Sequence, residues 1–260
     1  MNFPLKHLPE RTSGNRDFGL TMMMDKGLSL KESEHFIESS APYTDLVKFG
    51  FGTALITRDL KAKVKLYQSA GLKPYFGGTL FEMFYVRGEF DAYRKFVSES
   101  GLSYVEVSDG TIKMDHDEKL ECISTLSKDF EVLSEIGSKI KGVELANELW
   151  VSHMKTELET GAWKVIAEAR ESGTIGIYDS DGSANRALID DIMKEISVND
   201  VLWEAPIKSQ QTMFIQLIGT NVNLGNIAPN EVVSLEALRC GMRGDTFFDV
   251  LPEEFHSRKQ

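Results

Sequence analysis

The sequence predicts a single-domain (β/α)8 barrel, also called a TIM barrel, and three observations support this prediction. Short apolar runs alternate with longer amphipathic stretches along most of the chain. The length of 260 residues is close to the roughly 250 residues of a typical barrel of this class. Four apolar runs end in a glutamate, at Glu106, Glu135, Glu168 and Glu204. Carboxylates that recur at the carboxyl ends of successive parallel strands would lie at the mouth of a barrel, where its active site is built.

Eight apolar runs are strand candidates, and helix-like segments lie between them. The predicted strands are residues 20–24, 45–49, 73–76, 104–109, 132–135, 165–170, 201–204 and 221–224. The predicted helices include residues 29–40, 58–70, 90–100, 115–128 and 184–196, and Ser29, Thr57 and Pro229 are candidates for helix starts. Eight such units of about thirty residues favour a closed barrel over an open doubly wound sheet. We expect one domain over residues 1–260, with a core of about 19–248 and short extensions at both ends.

Composition narrows the class of partner and the compartment. The formal charge of -11 predicts that the chain binds neither nucleic acid nor an anionic membrane surface. The two cysteines, Cys122 and Cys240, are too few for a disulfide framework and indicate a reducing compartment. No apolar run is long enough to cross a membrane, so we expect a cytoplasmic protein.

Several catalytic motifs are absent from the sequence. It has no Gly-x-Ser-x-Gly elbow, no His-Glu-x-x-His and no Walker loop. The histidines lie in predicted helices, loops or tails, so we expect surface positions for all of them and neither a histidine base nor a histidine-rich metal site. These are His7, His35, His116, His153 and His256.

Charges of both signs gather at the predicted strand ends. A single glutamate there is most simply explained by an ion pair that ties the barrel together. For the whole set, a divalent cation is the better explanation, because buried carboxylates need a counter-charge. An all-oxygen ligand set favours Mg²⁺ over zinc. Nearby cations imply a substrate with phosphate or carboxylate groups, and the loops after strands seven and eight, at residues 208–211 and 223–226, are the usual phosphate site of such a barrel.

Longer sequence blocks resemble the phosphosulfolactate synthase family, and the resemblance runs from about Gly19 to Phe247. The blocks are TMMMDKG at 21–27, VKFGFGT at 47–53, GGTLFE at 77–82, EVSDG at 106–110, EARESG at 168–173, EAPIKSQQ at 204–211, NVNLGNI at 221–227 and the segment 235–246. The resemblance implies a carbon-sulfur lyase that adds sulfite to phosphoenolpyruvate, gives (2R)-phospho-3-sulfolactate and uses Mg²⁺. It also implies a homo-oligomer, and a role in coenzyme M biosynthesis or sulfolactate formation.

The resemblance also implies roles for individual residues. The family's proposed catalytic lysine lies in a Glu-Val-Gly-Lys-Lys context, which matches Lys139 here, although Ser138 replaces the first lysine of the pair. Lys139 is therefore the candidate general acid, with Arg170 and Lys26 as further catalytic candidates. Phe51 stands where many members have tryptophan, which keeps an aromatic surface. The candidate substrate ligands are Lys48, Lys208, Asn223, Asn226 and Arg239.

The metal ligands are the least specific part of this prediction. Glu135, Glu168 and Glu204 are preferred because they end successive strands, while Asp25 and Asp109 compete with them. Glu106 is expected to orient a cation instead. Two other functions stay open: a non-catalytic barrel related to plant heat-stress proteins, and another phosphate-handling barrel such as a Schiff-base aldolase. Lys139 and the charged mouth favour the synthase.

Overall fold

A computed structural model describes residues 3, 5–137, 145–170, 172–179 and 181–259. Its eight strands are β1 (Thr21–Asp25), β2 (Leu46–Phe49), β3 (Lys73–Phe76), β4 (Tyr104–Ser108), β5 (Glu131–Ile136), β6 (Ala162–Ala167), β7 (Val201–Glu204) and β8 (Leu224–Ile227). The helices in these ranges are α1 (Leu30–Ser40), α2 (Leu60–Ser69), α3 (Gly78–Tyr85), α4 (Phe90–Glu99), α5 (His116–Leu126), α6 (Asn147–Thr160), α7 (Arg186–Glu195), α8 (Lys208–Ile218) and α9 (Val232–Arg239). Short 3-10 turns cover Ala41–Tyr43, Gly50–Leu55, Pro229–Glu231 and Glu253–Arg258.

The strands form one parallel sheet in the order β3-β2-β1-β8-β7-β6-β5-β4. The two end strands, β3 and β4, pack against each other and bring the sheet round into a nearly closed barrel. Helices alternate with the strands along the chain. This arrangement confirms the predicted (β/α)8 barrel.

Two predicted strands lie elsewhere along the chain than expected. Strand β8 begins at Leu224, where the predicted strand 221–224 ends. The carbonyls of Thr220 and Val222 accept hydrogen bonds from the Arg239 guanidinium, so this stretch is held by a side chain before the strand begins. Strand β6 begins at Ala162 and ends at Ala167, so Glu168 follows the strand and does not belong to it.

Helix starts agree with the sequence prediction in part. Ser29 caps α1, and a capping box joins its side chain to the backbone of Glu32 and the Glu32 carboxylate to the backbone of Ser29. Pro229 opens the 3-10 turn that leads into α9. The prediction for Thr57 is wrong, because α2 begins two residues beyond Arg58, after Asp59 in the left-handed region at φ 51°.

The barrel interior has an aliphatic layer in its middle and a charged layer nearer the carboxyl ends of the strands. Leu46, Leu133, Ile166 and Leu202 pack together inside the barrel with Leu20, Met22 and Tyr75. Lys48, Glu135, Glu168 and Glu204 follow these four aliphatic residues by two positions each. Since alternate residues of a strand share a face, the periodicity that buries the aliphatic layer also directs Lys48, Glu135 and Glu204 into the mouth. Glu168 lies directly after β6 and lines the same cavity.

The N-terminal extension is tied to the barrel by two arginines. Arg16 Nε lies 2.7 Å from Asp45 Oδ1, and Arg11 Nε lies 3.0 Å from Glu236 Oε1. All four side chains are buried or nearly so. Within the described residues, no helix is both long and apolar enough to span a membrane.

Candidate active site

A cavity of about 480 Å³ opens at the carboxyl end of the barrel. Its walls come from the ends of several strands and the loops that follow them, as expected for this fold. Lys48, Glu106, Glu135 and Glu204 line its base, and Arg170 and Phe51 are exposed on its walls. All four glutamates that end apolar runs in the sequence line this one cavity.

Lys48 is the cation at the centre of the carboxylates. Its Nζ lies 2.9 Å from Glu106 Oε1, 3.1 Å from Glu135 Oε2 and 3.4 Å from Glu204 Oε1. Burial favours the neutral amine, but these three carboxylates outweigh it and raise the pKa of Lys48 well above its ordinary value. Lys48 therefore joins carboxylates from three strands through one ammonium group.

Three of the glutamates also form a compact set of oxygen donors. One carboxylate oxygen from each of Glu135, Glu168 and Glu204 lies within 4.8 Å of the other two, and all three side chains are buried. This is the trio that the sequence analysis preferred, and it could hold a metal ion. Glu204 is further oriented by the backbone N–H of Ala169, which donates to its Oε2 at 2.9 Å.

On the side of the cavity formed by β3, α3 and β4, a backbone N–H group contacts one of the carboxylates. Gly78 N–H donates to Glu106 Oε1. A Cβ added at Gly78 would lie 2.3 Å from Ser108 Cβ and 2.8 Å from Glu106 Oε1, so only glycine fits. The Ser108 hydroxyl lies 2.7 Å from Glu82 Oε1 and 2.9 Å from Glu135 Oε1, which joins α3 to β5.

Of the other predicted site residues, Arg170 and Asn226 line the cavity. The Asn226 side chain donates to the Ala169 carbonyl at 3.0 Å, and its backbone is left-handed at φ 59°. Lys26 is exposed after β1 and lines a smaller neighbouring cavity with Met24 and Gly27. Lys139 lies outside the described residues.

Three predicted substrate ligands do not lie in the cavity, and these placements correct the sequence analysis. Asn223 precedes β8, is fully buried and donates to the carbonyls of Asn199 and Val201, at the amino end of the barrel. Arg239 is also fully buried at that end, where it donates to the carbonyls of Leu20 and Val222. The amino end of the barrel is opposite to the mouth, so neither side chain can reach a ligand there.

Lys208 is the third of these residues. It is at the correct end of the barrel, at the start of α8, but its ammonium lies 3.0 Å from both carboxylate oxygens of Asp245 on the protein surface. It does not line the cavity.

The two aspartates that competed as metal ligands are engaged elsewhere. Asp25 Oδ2 lies 2.6 Å from Lys63 Nζ and accepts from the Tyr67 hydroxyl, while its Oδ1 accepts from the backbone of Gly27 and Leu28. Asp109 Oδ1 pairs with Lys119 Nζ at 3.0 Å. Both contacts brace the barrel mouth from outside the cavity.

Comparison with known proteins assigns the family. Residues 9–245 match the model of the family described as (2R)-phospho-3-sulfolactate synthase (ComA). The phosphosulfolactate synthase of Bacillus subtilis is 42% identical over 246 residues, which is 93% of this chain and 97% of that protein. The phosphosulfolactate synthase of Methanocaldococcus jannaschii is 43% identical over 235 residues, which is 88% of this chain and 94% of that protein. The chain belongs to the phosphosulfolactate synthase family.

This member of the phosphosulfolactate synthase family shares its fold with more distant barrels whose structures have been solved. The 3-hexulose-6-phosphate synthase of Salmonella typhimurium superposes with a TM-score of 0.52 at 17% identity, over 85% of this chain and 98% of that one. A putative dihydrodipicolinate synthase family protein from Coccidioides immitis gives 0.56 at 9% identity, over 92% of this chain and 75% of that one. At these identities the likeness concerns the barrel alone.

Several residues that support the site of this phosphosulfolactate synthase family member are not among the site residues predicted from the sequence. Gly77 and Gly78 carried a signal, because paired glycines directly after a strand indicate a close backbone approach. Glu82 lies one helical turn beyond Gly78, which places its carboxylate beside Ser108. Lys63 and Lys119 gave no signal, because a lysine in an amphipathic helix normally faces solvent, yet both are buried here.

Two histidines are less exposed than the sequence analysis expects, although both reach the surface in part. His116 and His153 are half-buried, and their rings stack with centroids 3.7 Å apart. Burial lowers the pKa of His153, and the neighbouring His116 lowers it further. Glu157, fully buried, lies 3.3 Å from His116 Nε2.

Proposed function

We propose that this chain is a carbon-sulfur lyase that adds sulfite to phosphoenolpyruvate and gives (2R)-phospho-3-sulfolactate. Membership of the phosphosulfolactate synthase family supports this activity. The observation that carries the proposal is the cavity of about 480 Å³ at the barrel mouth, which Lys48, Arg170 and four glutamates line. In this fold the cavity at the carboxyl end is the place for chemistry.

The charge of the cavity supports a divalent metal. Four lining glutamates face two lining cations, Lys48 and Arg170, among the residues that the structure describes. Both substrates are anions, so an acidic cavity would repel them unless more positive charge is present. Glu135, Glu168 and Glu204 supply three buried carboxylates with oxygens close together. An all-oxygen donor set of this kind fits Mg²⁺, which would bind the substrate carboxylate and stabilise the charge that develops on it.

The remaining steps belong to side chains of the chain itself. Sulfite forms a bond to the methylene carbon of phosphoenolpyruvate through its sulfur lone pair, and the electron pair of the double bond moves to the adjacent carbon. A proton must reach that carbon to complete the product. Lys139, assigned by the family resemblance, donates it as general acid. Lys48 holds Glu106, Glu135 and Glu204 in place, and Arg170 attracts the anionic substrate at the rim.

The imine chemistry of an aldolase finds little support in the described residues. A Schiff-base lysine must be neutral when it attacks a carbonyl. The lysine that lines the described cavity is Lys48, and its ammonium is held by ion pairs with Glu106, Glu135 and Glu204. A non-catalytic barrel would have no need for this buried set of charges, which is costly to fold.

The test is a direct assay of the purified protein with phosphoenolpyruvate, sulfite and Mg²⁺, followed by phosphorus NMR. We expect a new phosphate-ester signal that requires both substrates, and loss of this signal when a chelator removes the metal. Glu168→Gln should abolish it, whereas Glu99→Gln, on the exposed end of α4, should not. Formation of no product at any Mg²⁺ concentration by folded protein would refute the proposal.

A further inference from the structure

A second group of metal-ligand side chains lies outside the cavity, between α5 and α6. His116 is the first residue of α5, and His153 and Glu157 lie one turn apart on α6. A nitrogen from each histidine and an oxygen of Glu157 lie within 4.8 Å of one another. None of these three side chains lines the cavity that holds Glu135, Glu168 and Glu204.

We propose that His116, His153 and Glu157 form a second metal site, which prefers a borderline transition ion such as Zn²⁺ to Mg²⁺. Two imidazoles and one carboxylate are a ligand set typical of zinc, with one position left open for water. Mg²⁺ prefers a set made of oxygens. The ligand chemistry therefore separates this site from the carboxylates of the cavity.

Glu157 gives an independent sign that a cation belongs here. Its side chain is fully buried, and its Oε2 makes no hydrogen bond of normal geometry among the described residues, where the Ser134 hydroxyl lies beside the carboxylate. A buried carboxylate oxygen without a donor is costly, and a bound cation removes that cost. The other oxygen, Oε1, is shared by Lys119 Nζ at 3.0 Å and His116 Nε2 at 3.3 Å.

The two rings must separate for the ion to enter. They stack almost in parallel, with 13° between their planes, so the lone pairs of the two rings lie in separate planes. Coordination needs a lone pair from each ring aimed at one point, so one imidazole turns out of the stack. Both side chains are partly exposed, which leaves room for this rotation and a route for the ion from solvent.

The site is linked to the cavity through Lys119. The Lys119 ammonium binds Glu157 Oε1, lies 3.0 Å from Asp109 Oδ1 and donates to the backbone carbonyl of Glu135 at 2.7 Å. An ion on Glu157 therefore acts on a group that also holds Glu135. Lys119 keeps its two other acceptors when Glu157 binds an ion, so the network survives occupation.

The test uses the whole protein in excess Mg²⁺, titrated with Zn²⁺ and followed by calorimetry and by the proton NMR signals of the histidine rings. We expect one equivalent of Zn²⁺ to bind and to shift the ring signals of two of the five histidines. His116→Ala and His153→Ala should each weaken binding by about tenfold or more. His35→Ala, an exposed histidine on α1, is the matched control and should bind as the wild type does.

Two further outcomes decide against the site. Zinc binding that leaves the ring signals of His116 and His153 in the wild-type protein unmoved would refute it, and this result does not depend on whether any variant folds. Zinc binding that disappears in Glu168→Gln but persists in His116→Ala would place the ion on the cavity carboxylates instead. Neither outcome depends on catalytic turnover, so the zinc site and the proposed lyase activity can fail separately.

Discussion

Lys48 Nζ lies 2.9 Å from Glu106 Oε1, and neither side chain is more than slightly exposed. Glu106 holds the ammonium from β4, while Glu135 and Glu204 reach it from β5 and β7. One lysine thus contacts carboxylates from three strands. It neutralises part of the acidic mouth, and the proposed Mg²⁺ would offset the remaining negative charge.

Removal of the Lys48 charge should destabilise the fold, and Mg²⁺ should restore part of the loss. Lys48→Met leaves three buried carboxylates without their ammonium, which costs about 3–5 kcal/mol for a broken buried ion pair. The measurement is urea denaturation with and without Mg²⁺. The matched control is Lys208→Met, whose exposed pair with Asp245 should contribute much less. An equal loss in both variants would contradict a central role for Lys48.

Removal of a single cavity carboxylate should weaken Mg²⁺ binding. Glu168→Gln and Glu204→Gln each take one negative oxygen from the trio of Glu135, Glu168 and Glu204. We expect the affinity for Mg²⁺ to fall by about 10- to 100-fold, a range known for the loss of supporting groups at metal sites. Calorimetric titration with Mg²⁺ measures it, and Glu99→Gln is the control. Wild-type affinity in both cavity variants would remove the trio as the metal site.

A methyl group at Gly78 should displace the backbone that contacts the cavity carboxylates. The added Cβ meets Ser108 Cβ at 2.3 Å and Glu106 Oε1 at 2.8 Å, so the backbone must withdraw from the carboxylate that orients Lys48. We expect Gly78→Ala to cost about 1–3 kcal/mol through overpacking and to lower kcat more than it raises KM. Gly244→Ala, where a Cβ meets nothing within 4 Å, is the control. Steady-state kinetics that match those of the control would show that Gly78 does not support the site.

The sequence predicted the acidic mouth because strand periodicity and the fold class place it there. Leu133 and Glu135 are two positions apart on β5, so their side chains lie on the same face of the strand. Because Leu133 is inside the barrel, Glu135 is expected to point into it as well, nearer the mouth. The partner of each charge could not be predicted in this way. Lys48 was expected to bind substrate, and only the three-dimensional arrangement shows it among three glutamates.

Errors in strand boundaries explain why Asn223 and Arg239 were misplaced. Asn223 was expected in a loop at the mouth, but β8 starts after it, so it lies at the amino end of the barrel. A shift of three residues in a four-residue strand therefore moves a side chain from one end of the barrel to the other. Arg239 then binds the carbonyls of the same displaced segment. Periodicity predicts the face of a strand more reliably than its ends.

Stability should depend on pH through the pair that ties the N-terminal segment to α9. Burial alone would raise the pKa of Glu236, but Arg11 outweighs it through a hydrogen bond and its charge, so the pKa lies below the ordinary 4.5. The stabilisation is present above pH 4.5 and is lost as the pH falls through the folded-state pKa. Glu236→Gln should therefore cost about 1–3 kcal/mol at pH 7 and progressively less in acid.

Urea denaturation of Glu236→Gln and wild type between pH 7 and pH 3 measures this dependence. Glu254→Gln, at an exposed position near the C-terminus, is the control and should follow the wild type throughout. A difference between Glu236→Gln and wild type that stays constant down to pH 3 would mean that Glu236 stabilises the fold through packing and not through its charge.

Lys139 is the proposed general acid, a role that the family resemblance implies. Three residues separate it from Glu135, whose side chain binds Lys48 at the end of β5. If Lys139 protonates the carbon next to the new carbon-sulfur bond, Lys139→Ala should lower kcat by about 10²-fold or more, with little change in stability. Lys141→Ala, two residues further along the chain, is the matched control. Phosphorus NMR of the reaction measures turnover, and circular dichroism checks the fold. Turnover near the wild-type rate in Lys139→Ala would assign the proton donor to another residue.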